Sequence, residues 1–173
     1  MQTSLVLTVI ADDRPGLVVR LADVVAAHGG NWIESSMARL AGEFAGIVRI
    51  EAPGERVMEL EAALTNLTEE GILTTLRQST GTQETHGQTA RISILCQDHP
   101  GIVHSLAGAL ASKGASITHL TSEAFAGSMS GERMFRAEMD VVLPVDLETA
   151  TLAAALEDLA GDLMAEVDFT DLS

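Results

Sequence analysis

Residues 13–30 read DRPGLVVRLADVVAAHGG, and residues 98–115 read DHPGIVHSLAGALASKGA. Eight of the eighteen aligned positions are identical, and one register holds throughout. A segment that recurs with its turn residues and apolar spacing intact marks a duplicated unit. The 173 residues then divide into two domains of about 80 residues each. Units of that size bury a smaller fraction of their surface than one large domain would. The halves are therefore expected to pack against each other.

Both copies read as the same string of elements. Leu5, Leu7 and Val9 alternate with Val6, Thr8 and Ile10, and Ile92, Ile94 and Cys96 alternate with Arg91, Ser93 and Leu95. Period-two spacing with β-branched residues predicts an opening strand. Asp-x-Pro-Gly breaks it, because Pro lacks an N–H and fits a first helical turn while Gly permits a tight bend. Leu17, Leu21, Val24, Val25 and His28 then form one helical stripe, matched by Ile102, Leu106, Ala109, Leu110 and Lys113. Gly29 and Gly114 stand where a helix C-cap belongs. Two strands follow, at 31–39 and 44–52 in copy one and at 116–125 and 133–143 in copy two. About six extra residues lie in the second copy's connection, which Met129 and Met134 flank. Val57, Leu60, Leu64 and Leu67 predict a second helix, as do Leu152, Leu156, Leu159 and Leu163. Last strands are expected near 72–78 and 164–169.

Residues 79–89, STGTQETHGQT, contain no large apolar side chain and read as a linker. The expected domains are 1–80 and 90–173. The order β-α-β-β-α-β, twice, predicts an α+β chain of two ferredoxin-like domains, each an antiparallel sheet with two helices on one face.

Charge and composition exclude several classes of function. The net charge is −15, from 10 basic and 25 acidic residues. Phosphate contacts need clustered Lys and Arg, so direct nucleic-acid binding is not expected. An anionic membrane surface is disfavoured for the same reason. Aromatics make up 3% with no Tyr, too few for base-stacking platforms. The single cysteine, Cys96, allows no intrachain disulfide, and a reducing cytoplasm fits. The first residues lack a basic stretch followed by an apolar core, so no signal peptide is expected. No apolar run approaches the roughly 20 residues of a membrane span.

The two Asp-x-Pro-Gly turns are the candidate sites. A strand-to-helix turn presents free backbone N–H groups at a helix N-terminus, which suits a carboxylate. Asp13 and Asp98 can accept hydrogen bonds from a ligand ammonium group. Gly16 and Gly101 let a ligand approach the backbone. Asn31, at the start of the next strand, offers a donor and an acceptor, while its counterpart Ser116 is shorter. The structural alternative is that Asp caps each turn and Pro and Gly shape it.

D-R-P-G-L-V and D-H-P-G-I-V each lie between a short strand and an amphipathic helix that ends in G-G-N-W or G-A-S-I. In this they resemble ACT domains, and the likeness covers nearly the whole chain outside the linker. Two copies with no catalytic domain attached resemble that family's stand-alone transcriptional repressors. The resemblance implies a small ligand, an amino acid such as glycine, held by the first βα turn and the start of the second strand between paired domains. By position it implicates Asp13, Gly16, Leu17 and Asn31, and in copy two Asp98, Gly101, Ile102 and Ser116. It further implies control of transcription through protein contacts, with a DNA-binding activator as partner, self-association, and no cofactor. The rival expectation is an interaction or assembly module that needs no ligand, using open sheet edges and an acidic surface.

Other constellations are sparse. Cys96 and His99 have a C-x-x-H spacing, with His104 and His119 in the same copy, but zinc takes about four ligands and copy one has Ala11 and Arg14 there. No nucleophile motif or phosphate loop is present, and Ser35 and Ser36 lack a recognisable base, so no enzyme is expected. Trp32 has only Ile117 as its match and is expected at the domain interface.

Overall fold

The computed structural model describes residues 1–81, 87–128 and 131–172. The chain splits into two compact units, Met1–Gln83 and Glu84–Ser173. The first runs β1 (Gln2–Asp12), α1 (Leu17–Ala27), β2 (Asn31–Leu40), β3 (Glu43–Pro53), α2 (Val57–Asn66) and β4 (Ile72–Gln78). The second runs β5 (Thr89–Gln97), α3 (Ile102–Ser112), β6 (Ser116–Ala126), β7 (Arg133–Val142), α4 (Thr149–Leu163) and β8 (Glu166–Asp171). The sheets are ordered β2-β3-β1-β4 and β6-β7-β5-β8, every pair antiparallel. This is the expected ferredoxin-like arrangement in both halves.

Alternation along the central strands decides which face each helix pair covers. Leu5, Leu7, Val9 and Ala11 of β1 are buried, and β3 supplies Val48, Ile50 and Ala52 on the same side. Leu17, Leu21, Val24 and Val25 of α1 and Leu60 and Leu64 of α2 close that core. The second core repeats it with Ala90, Ile92, Ile94 and Cys96 under Ile102, Leu106, Leu110, Leu152 and Leu156. Leu159 and Leu163, the last members of the α4 stripe, are only partly buried.

Several details differ from the sequence reading. β8 starts at Glu166 rather than near 164, because Met164 takes a left-handed conformation at the end of α4. Thr89 already belongs to β5. The Ser79 N–H donates to the Ser4 carbonyl and the Leu143 N–H to that of Gln88, so both ends of the expected linker are tied to their own units. The middle of that linker, 82–86, and Met129 lie outside the described residues. Trp32 is partly buried and packs against the first unit's own core.

The β2–β3 hairpin turns through Ala41 and Gly42, both at positive φ (52° and 87°). A two-residue turn of that kind matches the strand twist, but a non-glycine residue with a Cβ is strained there by roughly 1–2 kcal/mol. Asn tolerates the conformation better. Ala41→Asn is expected to raise stability by about 0.5–1 kcal/mol in urea unfolding. Leu21→Ala and Leu106→Ala remove fully buried, repeat-related side chains. Each is expected to cost about 2–5 kcal/mol, read as a lower urea midpoint for the unit that carries it.

Candidate functional site

The strand-to-helix turns have the same backbone in both units. Gly16 is the N-cap of α1 at φ 89°, and Gly101 is the N-cap of α3 at φ 95°. Both are left-handed, a region where a side chain is strained. No side chain caps either helix, so first-turn N–H groups are left to solvent or a ligand. Beyond each glycine's two chain neighbours, no atom comes within 4 Å of where a Cβ would sit, so the approach is open. Leu17 and Ile102 are each 3% exposed, which places their side chains in the core and leaves only their backbone to face a ligand.

Each aspartate is already partnered. Asp13 Oδ2 lies 2.9 Å from Arg39 Nη1, and Asp98 Oδ2 lies 2.8 Å from Arg133 Nε. The backbone helps place them: the Asp13 N–H donates to the Gly42 carbonyl, and that of Asp98 to the carbonyl of Arg133, both at 2.8 Å. The arginine side chains are 71% and 74% exposed, so these are water-screened pairs that a ligand can open at little cost. The first turn has a further strap that the second lacks, since the Arg14 guanidinium donates to the Glu70 carbonyl and His99 replaces Arg14. Glu70 in turn takes a forked pair of hydrogen bonds from Arg20, which holds its carboxyl below the usual carboxylate range.

Arg39 and Arg133 escape the repeat-based reading because they do not align with each other. Arg39 comes from the end of β2 and Arg133 from the start of β7. The only signal available was that each lies beside the hairpin turn that faces its aspartate.

Asn31 and Ser116 do not join the turns of their own units. Asn31 pairs with Glu51, which pairs with Ser4, nine residues before Asp13. Ser116 pairs with Val142, which pairs with Thr89, nine residues before Asp98. At about 3.3 Å per residue the separation is roughly 30 Å. Each unit therefore brings together the aspartate, the glycine and the first-turn backbone, and puts the polar start of the second strand at the opposite end.

The C-x-x-H pair does not converge. Cys96 is buried in the second core, and burial pushes its thiol up. His99 Nδ1 is 3.0 Å from its neighbour's carbonyl at Pro100. Among the described residues no cluster of three or more ligating side chains is present, and no helix is long and apolar enough to cross a membrane. His28 ends α1 with Nδ1 2.8 Å from the Val24 carbonyl.

A hollow of about 620 Å³ lies elsewhere, on the open face of the second sheet, fenced by Glu123, Arg136, Glu138, Glu166 and Asp168. It is broad and open to water. The turns are the better candidate despite their smaller relief, because a small charged ligand needs aimed donors and countercharges more than volume.

Models of the ACT domain match residues 3–76 and 90–161. A crystal structure of an unknown protein from Galdieria sulphuraria is 25% identical, with a TM-score of 0.85 and all of both chains covered. A protein named "putative glycine cleavage system transcriptional repressor" is 18% identical, with a TM-score of 0.77, over 100% of this chain and 99% of its own. No curated protein matches in sequence.

Left-handed glycine at the head of each helix gives a direct test. Gly16→Ala and Gly101→Ala meet no neighbour, so any cost is conformational. Each is expected to lower stability by about 1–2 kcal/mol in urea unfolding, with the circular dichroism of the native state unchanged.

Proposed function

The chain belongs to the ACT domain family, with two such domains in tandem, and from that premise we propose that it is a non-catalytic regulator that senses an amino acid such as glycine. One observation carries this reading: both turns set a carboxylate and a guanidinium beside an uncapped helix N-terminus. That set complements a zwitterion. The ligand carboxylate goes to the first-turn N–H groups and to Arg39 or Arg133, and its ammonium goes to Asp13 or Asp98. These groups bind charge and include no nucleophile. The open space at Gly16 and Gly101 admits a ligand, and a ligand as small as glycine has no side chain to accommodate.

Output through protein contacts fits the charge of −15, which opposes DNA. A DNA-binding activator is a partner of the right kind, since it supplies the nucleic-acid contact this chain is ill suited to make. The likeness to a protein named as a glycine cleavage repressor supports that direction.

Calorimetric titration with a panel of amino acids tests the proposal, and binding of at least one is expected. Asp13→Ala should then weaken that ligand about ten- to a hundredfold, the loss of one charge-assisted hydrogen bond of roughly 1.5–3 kcal/mol. Asp98→Ala is the matching test of the second turn. Unchanged affinity in a folded Asp13 variant would return the first turn to a purely structural role.

A further inference from the structure

The two open sheet faces, those without helices, differ in a way that the duplication makes easy to see. Across the first sheet one row reads Ala38, Ala45, Ile10, Leu73, in the order β2-β3-β1-β4. The corresponding row of the second sheet reads Glu123, Arg136, Leu95, Glu166. One step along the strands, Ser36, Ile47, Thr8 and Thr75 correspond to Thr121, Glu138, Ser93 and Asp168. The second face is kept in water by charge at most of these positions. The first presents Ile10, Ile47 and Leu73 at 45%, 55% and 53% exposure. Contiguous exposed apolar side chains on a sheet face mark a contact surface.

The geometry points to a second copy of this chain as what covers the first face, related by a two-fold axis parallel to the strands. Such an axis lays β2 of one copy over β4 of the other, and β3 over β1. Ala38 and Ala45 then meet Leu73 and Ile10 of the second copy, so small side chains oppose large ones across the gap of about 10 Å between packed sheets. The same operation treats charge consistently. The next row but one reads Glu34, Arg49, Val6, Arg77, so Glu34 comes over Arg77 of the second copy, twice by symmetry. Arg77 has no carboxylate partner among the described residues. Glu34 is only loosely engaged: its Oε2 is 3.3 Å from Arg49 Nε, yet that buried nitrogen makes no aligned hydrogen bond. The face thus complements itself in shape and in sign, which an isologous interface requires. Four strands by about six residues give a footprint of roughly 400 Å² per copy, about 800 Å² in total, which is below the size of a standard stable interface and fits a transient one. A weak dimer in exchange with monomer is the form this face supports.

Sedimentation equilibrium of the full chain from about 1 to about 200 µM reads the mass, and a monomer–dimer equilibrium inside that range is expected. Ile10→Lys and Leu73→Lys should each raise the dimer Kd at least about tenfold, with unchanged circular dichroism, since both positions are exposed. Glu34→Arg and Arg77→Glu should each weaken the dimer, and the two combined should restore it. A wild-type chain that stays monomeric to about 200 µM overturns the proposal, as does a dimer indifferent to both lysine variants. Failure of the combined charge swap to restore association overturns the axis. Should a lysine variant lose its fold, the wild-type mass and the charge swap still decide. None of these readouts depends on the ligand site.

Discussion

In each unit the chain must leave a buried central strand and enter a helix that returns across the same sheet face. A left-handed glycine, Gly16 or Gly101, makes that reversal possible. It puts the side chain that follows, Leu17 or Ile102, straight into the core. The helix stripe then falls over β1 and β3 or over β5 and β7, and the second helix can pack beside the first. The same constraint leaves the first-turn N–H groups pointing outward with no cap, so the feature that permits the fold also creates the place where an anion can be met.

Most of this architecture was legible in the amino-acid order. Alternation in Leu5, Leu7 and Val9, the stripe from Leu17 to Val25, and the Pro-Gly breaks are local signals, and their repetition 85 residues later removed the usual ambiguity. What was less legible depended on conformations or distances that periodicity does not encode. Met164 ends α4 in a left-handed conformation although it is neither Gly nor Asn, and this displaces β8. Trp32 has no bulky match in the repeat, so its place beside the first unit's own core is visible only in the structure.

The candidate site was legible in its backbone and not in its side chains. Asp13 and Asp98 follow from the motif, but their arginine partners sit 26 and 35 positions away, where no spacing rule reaches. The family resemblance groups Asn31 and Ser116 with the turns, yet strand register sets them at the other end of the same unit. Register is a property of pairing between strands, so it becomes visible only once the sheet order is known.

The two salt links at the turns illustrate how a duplicated segment can keep an ion pair while losing the letters that encoded it. The guanidinium arrives on the last residues of β2 in one half and on the first residue of β7 in the other, yet it reaches an equivalent aspartate at nearly the same distance. A column-by-column comparison of the halves would score both arginines as diverged. Electrostatic compensation is blind to which strand delivers the charge. Ancestry in this chain is therefore better traced by asking which charges occupy a given place than by asking which residues occupy a given column.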